Sequence, residues 1–140
     1  MSTAPSFPRA ADVAVGDPLP DLVLPITRTL IVAGAIASRD YQDVHHDHEL
    51  ATAKGSADII MNILTTNGLV GRFVTDWAGP DAVVRAIRIR LGVPNYPGDT
   101  MTLSGEVTAV DPDTGVVTVA IVGANERGNH VTGSVEVTLP

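Results

Sequence analysis

Near residue 82 the spacing of apolar positions changes from irregular to a period of two. Val83, Ile87, Ile89 and Leu91 alternate with Val84, Ala86, Arg88 and Arg90. Met101, Leu103, Val107 and Ala109 alternate with Thr100, Thr102, Ser104, Glu106 and Thr108. Val131, Val135, Val137 and Leu139 alternate with Thr132, Ser134, Glu136 and Thr138. This is the pattern of antiparallel strands with one buried face. Asp111-Pro112-Asp113-Thr114-Gly115 and Arg127-Gly128-Asn129 supply compact turns, so four consecutive strands are predicted. Upstream, Ile60, Ile63, Leu64, Val70 and Val74 fall on one stripe of a helix, with Ser56 or Asp58 as its cap and Gly79-Pro80 just past its end. Gly68 and Gly71 inside that helix each cost roughly 1 kcal/mol relative to alanine, which close approach to a sheet would offset. Leu22-Val23-Leu24 and Thr29 to Ala37 read as strands. Residues 1–20, with Pro5, Pro8, Pro18 and Pro20, read as a flexible or extended arm.

Strand, long helix and four more strands fit one economical arrangement, an antiparallel sheet wrapped around a central helix. The expected fold is therefore α+β, a single hot-dog unit over residues 21–140, with no internal repeat. Composition narrows the function classes. The chain has 140 residues, 44% hydrophobic and 18% charged, enough for one domain with a real core. A net charge of −7, a single lysine (Lys54) and 4% aromatic residues argue against nucleic-acid binding. There is no cysteine, hence no disulfide framework, thiolate nucleophile or cysteine zinc site. No apolar run of ~20 residues and no signal-like start are present, which predicts a cytoplasmic protein without a membrane span.

Candidate chemistry concentrates in Asp40-Tyr41-Gln42-Asp43-Val44-His45, where a carboxylate and an imidazole lie five residues apart on a connection before the helix. Asp supplies a basic oxygen at neutral pH and His exchanges a proton there, so the two can converge on one water. The bland reading is a capping pair on a loop. His45, His46, His48, Asp43 and Asp47 crowd this segment, but they lack a clean pair on one helical face with a distant third ligand, so no metal is expected. Arg85, Arg88 and Arg90 are candidates for binding phosphate groups of a ligand, or simply charges on an exposed strand face. Trp77 reads as a core or interface anchor; Asp76 and Asp99 read as turn residues. The helix N-terminus near Ser56 to Asn62 offers N–H groups suited to a developing oxyanion.

The six-residue stretch resembles the signature Asp-x-Asn-Pro-Ile/Leu-His of the MaoC-like, R-specific enoyl-CoA hydratases: Asp40 and His45 match, while Gln42 and Asp43 replace Asn and Pro. Pro97-Gly98-Asp99-Thr100 is similar to a turn common in that family. Arg39 to His46, Gly55 to Leu64, Thr75 to Pro80 and Arg90 to Pro94 resemble one branch, the small MaoC-like subunit of the actinobacterial steroid side-chain enoyl-CoA hydratase, with similarity from about Leu22 to the C-terminus. The resemblance implies catalytic Asp40 and His45. It implies no cofactor beyond CoA in the substrate, and a larger MaoC-like partner with an OB-like domain in an α2β2 heterotetramer. The implied substrate is a steroid CoA thioester with a shortened, α,β-unsaturated side chain. Two departures stand out. Arg39 replaces the family's Gly before the Asp, and Met61-Asn62 stands where a His-Gly pair supplies a backbone amide to the thioester oxygen, leaving Asn62 or Gly55 as that donor. A hot-dog thioesterase, a non-catalytic partner subunit and a dehydratase of fatty-acid elongation are the competing functions.

Overall fold

Thr27 begins a helix where the sequence pattern predicts a strand. Its Oγ1 accepts a hydrogen bond from the Leu30 N–H at 3.0 Å, and α1 runs over Arg28–Ala37. The run from Leu30 is apolar on every side, so neither period could be read from it; its alanines favour the helix, and Ile31 and Ala35 bury one face at a four-residue spacing. The computed structural model describes residues 6–140. A second unpredicted helix, α2 (His48–Ala53), is capped by Asp47, whose side chain accepts from the Leu50 N–H.

The central helix, α3 (Ile63–Ala78), starts at the cap Asn62 and not at Ser56 or Asp58. Residues 54–62 cross the molecule as a connection pinned at both sides: the Ile60 N–H donates to Val44 O and the Met61 N–H to Asn95 O. The buried stripe is Thr66, Val70, Phe73, Val74 and Ala78, whereas Ile63 and Leu64 face outward at about half exposure. A threonine at the head of the stripe hides its true register from a hydrophobicity count. Gly79 does end the helix, at φ +87°, a conformation that favours glycine. Of the two helical glycines, Gly71 comes close to the sheet, since a Cβ there would lie 3.3 Å from Ile87 Cδ1; Gly68 faces open space, against expectation.

The strands are β1 (Pro18–Pro25), β2 (Val83–Leu91), β3 (Thr100–Val110), β4 (Val116–Asn125) and β5 (Gly128–Thr138), joined in one antiparallel sheet of order β1-β3-β4-β5-β2. Met101, Leu103, Val107, Val117, Val119, Ile121, Val131, Val135 and Val137 point into the core against the α3 stripe. Bulges break the simple alternation. The shift between Val84 and Ala86 turns Val84 inward and leaves Val83 exposed, and the shift between Val107 and Ala109 turns Ala109 outward. The first twenty residues are only partly an arm. Pro5 lies outside the described residues, but the Ala10 N–H donates to Pro140 O, the Gly16 N–H donates to Val107 O, and β1 already begins at Pro18 with Leu19 buried. Pro18 and Pro20 are tolerated because β1 is an edge strand.

Candidate active site

Asp40 is placed by the way α1 stops. The Asp40 N–H donates to Ala35 O at 2.9 Å and the Arg39 N–H to Ile36 O at 3.0 Å, the paired bonds of a Schellman ending with Arg39 left-handed at φ +55°. That position ordinarily takes glycine. The ending turns the Asp40 side chain from the α1 terminus toward two other chain ends, the short 3-10 turn Asp43–His45 and the cap of α3.

His45 is buried, and its ring is held through Nδ1. Nδ1 lies 2.7 Å from Ile60 O, a pure acceptor, so Nδ1 carries the ring proton and donates it. With the ring neutral, Nε2 keeps its lone pair and faces Asp40 Oδ2 at 3.3 Å. Two acceptors directed at one place suit a molecule with two protons to give, which is what a water offers. Asp40 is ionised at neutral pH: a hydrogen bond from the Asn62 side chain holds its carboxyl below the ordinary value, with smaller help from the Gln42 N–H, against a desolvation that acts the other way.

Asn62 occupies the centre of this arrangement. Its Nδ2 donates to Asp40 Oδ2 at 3.1 Å and to Ser38 Oγ at 2.9 Å, while its Oδ1 accepts from the Thr65 N–H and hydroxyl at 3.0 and 2.6 Å. The first-turn N–H groups of Ile63 and Leu64 have no acceptor within the helix. Behind Asn62 lies a second buried imidazole, His130. Its Nδ1 donates to Val93 O at 2.7 Å and its Nε2 accepts from the Thr66 hydroxyl at 2.8 Å, and burial pushes its pKa down, so it stays neutral. Asp58 ties the outer frame together. It accepts both Arg28 guanidinium nitrogens of α1, at 3.0 and 2.7 Å, and His48 Nδ1 of α2 at 2.9 Å, which holds its carboxyl far below the usual range.

Of the sequence-predicted residues, Asp40, His45 and Asn62 come together. Gly55 does not join them: it is an exposed turn residue at φ +91° whose N–H donates to Thr52 O at the end of α2. Arg85, Arg88 and Arg90 stand on the exposed side of the edge strand β2, where Arg85 donates to Thr138 Oγ1 and Arg88 pairs with Glu136 at 2.8 Å. His48 is bonded to Asp58 and not to the dyad, and His46 is exposed. Asp99 accepts from the Tyr96 N–H as a turn residue does, and Trp77 packs against the core. Sequence reading missed Ser38, Thr66 and His130: each stands beside other polar residues (Arg39 and Asp40; Thr65 and Asn67; Asn129), so nothing in the local pattern marks it out. Next to the dyad, Gly34, Ala37, Ser38, Leu64, Thr65, Gly68 and Leu69 line an open groove of about 350 Å³ between α1 and α3.

A protein-family profile described as "MaoC like domain" matches residues 13–126. The chain is 56% identical over 125 residues to the 3-oxo-4,17-pregnadiene-20-carboxyl-CoA hydratase beta subunit of Mycobacterium tuberculosis, covering 89% of this chain and 95% of that one. A chain in the crystal structure of the ChsH1-ChsH2 complex from Mycobacterium tuberculosis superposes with a TM-score of 0.87 at 55% identity, covering 91% of this chain and 98% of that one. The (R)-hydratase from A. caviae involved in PHA biosynthesis shares the fold, with a TM-score of 0.84 at 23% identity, covering 91% of this chain and 98% of that one. With its hot-dog sheet and helix, and with the profile spanning most of its length, the chain belongs to the family of MaoC-like domains.

Proposed function

We propose that this chain is the catalytic subunit of an enoyl-CoA hydratase that adds water to a steroid CoA thioester with an α,β-unsaturated side chain. The observation that carries the reading is the His45 Nε2 to Asp40 Oδ2 separation of 3.3 Å with Nδ1 fixed on Ile60 O. A water held by both acceptors is polarised by the carboxylate as its oxygen attacks the β-carbon. His45 Nε2 takes the proton that leaves, the new imidazolium is stabilised by Asp40 and Ile60 O, and a proton is returned to the α-carbon. Charge on the thioester oxygen in the intervening enolate meets the N–H groups at the start of α3, where the helix dipole favours an anion. Water addition is redox-neutral and both proton transfers have side chains to perform them, so the reaction calls for no cofactor beyond the CoA of the substrate.

A thioesterase of this fold would attack through a carboxylate on the central helix. The acid within α3 is Asp76, two residues from its far end and paired with Arg72, and Asp58 is occupied by Arg28 and His48 before the helix starts. That distribution supports hydration over hydrolysis. The resemblance to a beta subunit, and to a chain seen in a two-protein complex, supports assembly with a larger MaoC-like subunit as an α2β2 heterotetramer, working in the cytoplasm where CoA thioesters are handled. Among the described residues no helix is long and apolar enough to cross a membrane. Arg90, unlike Arg85 and Arg88, makes no side-chain bond among the described residues and is the first of the three to test against CoA.

The test is kcat/KM of the co-expressed complex with a steroid enoyl-CoA and with crotonyl-CoA. The steroid should be preferred, because acyl binding holds the β-carbon against the water. Asp40→Asn and His45→Ala should each lower turnover at least ~100-fold while the complex stays folded. Near-normal turnover in either variant removes the dyad; equal rates on both substrates remove the steroid.

A further inference from the structure

Three chain ends meet at Asn62. Its side chain bridges the last turn of α1, through Ser38, and the first turn of α3, through Thr65, and it also touches the Asp40 oxygen that faces His45. The orientation of the amide follows from its partners. Thr65 presents two donors to one end, so that end is the carbonyl, and the NH2 end must point at Ser38 and Asp40. Ser38 cannot take over the contact, because its hydroxyl proton is directed to Gly34 O at 2.7 Å. Asn62 is 2% exposed, so water does not substitute for it cheaply.

We propose that Asn62 is a positioning residue for hydration: its NH2 group fixes the reactive oxygen of Asp40, and its carbonyl, as the cap of α3, ties this oxygen to the N–H groups that receive the enolate. The inference rests on the hydratase reading above. One side chain thereby sets the distance between the water-activating end and the oxyanion end of the reaction. A backbone-amide role for this residue would not need its side chain at all, and Ile63 and Leu64 offer such amides.

The groups facing Asp40 decide the pH consequence. His45, from the 3-10 turn, is the titratable side chain in contact with it. From α1 the neighbouring polar group is the Ser38 hydroxyl, and from α3 the Asn62 amide and Thr65 hydroxyl, none of them charged. Asp43, on the same connection, is taken by Lys54, and Arg39 is exposed. Removing the Asn62 donor therefore leaves the carboxylate with His45 and a long 3.4 Å bond from the Gln42 N–H.

Asn62→Asp and Asn62→Ser, made in the co-expressed complex, separate the two halves of the residue. Both replacements are good helix caps, so the complex should stay folded at about 25 °C, with a Tm lowered by several degrees for the lost buried donor. Neither supplies the NH2 donor. The acidic limb of kcat/KM should move up by about one pH unit or more for Asn62→Asp, which places a like charge beside Asp40, and by less for Asn62→Ser. Carbon-13 titration of the Asp40 carboxyl, assigned by its loss in Asp40→Asn, should move in the same order without any turnover. Unchanged limbs and unchanged carboxyl titration in both variants would overturn the proposal, even if Asn62→Ala unfolds the chain. If the titrations shift but the parent complex does not hydrate an enoyl-CoA, the positioning stands and the hydratase reading falls.

Discussion

Arg39 holds the left-handed position that turns the chain from α1 into Asp40, and replacing it by glycine isolates the energetic consequence of that choice. At φ +55° an L-residue brings its Cβ against the following carbonyl, at roughly 1–2 kcal/mol. Glycine escapes that clash but gains freedom in the unfolded chain, which returns roughly 0.4–1 kcal/mol. The exposed Arg39 side chain forms no ion pair among the described residues, so little else is lost. Arg39→Gly should therefore stabilise by about 0.5–1 kcal/mol, a rise in Tm of roughly 2–4 °C for a chain of this size. Arg39→Ala keeps the clash and removes the guanidinium, so its Tm should remain near the parent's. Differential scanning calorimetry of the three purified complexes reads the effect directly. Hydration should persist in both variants, because the Asp40 N–H to Ala35 O bond that aims the carboxylate involves neither side chain. A lower or unchanged Tm in Arg39→Gly, or an equal rise in Arg39→Ala, refutes the argument from backbone strain.

His130 and Asp58 should give the stability curve two separate pH signatures. Burial keeps the folded His130 ring neutral, so its contribution is complete above about pH 6.5 and erodes as pH falls below that, where the unfolded chain binds a proton that the folded chain refuses. Urea midpoints at pH 7.5 and 5.5 should draw apart in the parent and less so in His130→Gln; an identical pH dependence in the two proteins contradicts the assignment. The Asp58 carboxyl is held down by Arg28 and then by His48, so its stabilisation is present above about pH 3.9 and lost as pH falls below that. Asp58→Asn should be less stable at pH 6 and approach the parent near pH 2, as seen by circular dichroism during an acid titration; a constant gap would mean that its charge is not what matters.

The sheet was legible in the sequence because its strands are buried on one face, and Val117, Val119, Val135 and Val137 obey the period of two without exception. Bulges at Arg85 and Thr108 were not, since a one-residue insertion leaves composition unchanged while it reverses the faces on either side. α1 was misread for a different reason. A run that is apolar all round carries no phase, and only the Thr27 cap separates helix from strand there. Asp40 and His45 lie five residues apart, so local spacing alone brings them together. Asn62 is 22 residues from Asp40, and its side chain reaches the carboxylate only once α1 has ended, the connection has crossed and α3 has begun.

That dependence on three chain ends explains why Asp40 and His45 are held in a fixed orientation on segments that are not themselves long elements. A helix end has backbone groups without partners, and two ends here are completed by side chains linked to the Asp40–His45 pair: Ser38 closes α1 and Asn62 caps α3, while the backbone carbonyl of Ile60 on the connection fixes the His45 tautomer. The residues around this junction remain unusually apolar for a surface. Ile36, Tyr41, Ile63 and Leu64 are each about half exposed or more, and the groove between α1 and α3 opens beside them. A substrate's acyl group or a partner subunit would cover such a surface, and covering it would also exclude bulk water from the Asp40–His45 pair. Hydration requires one water to be activated and its competitors kept away from the enolate, so a chain with a complete dyad and an open rim is better suited to act within an assembly than alone.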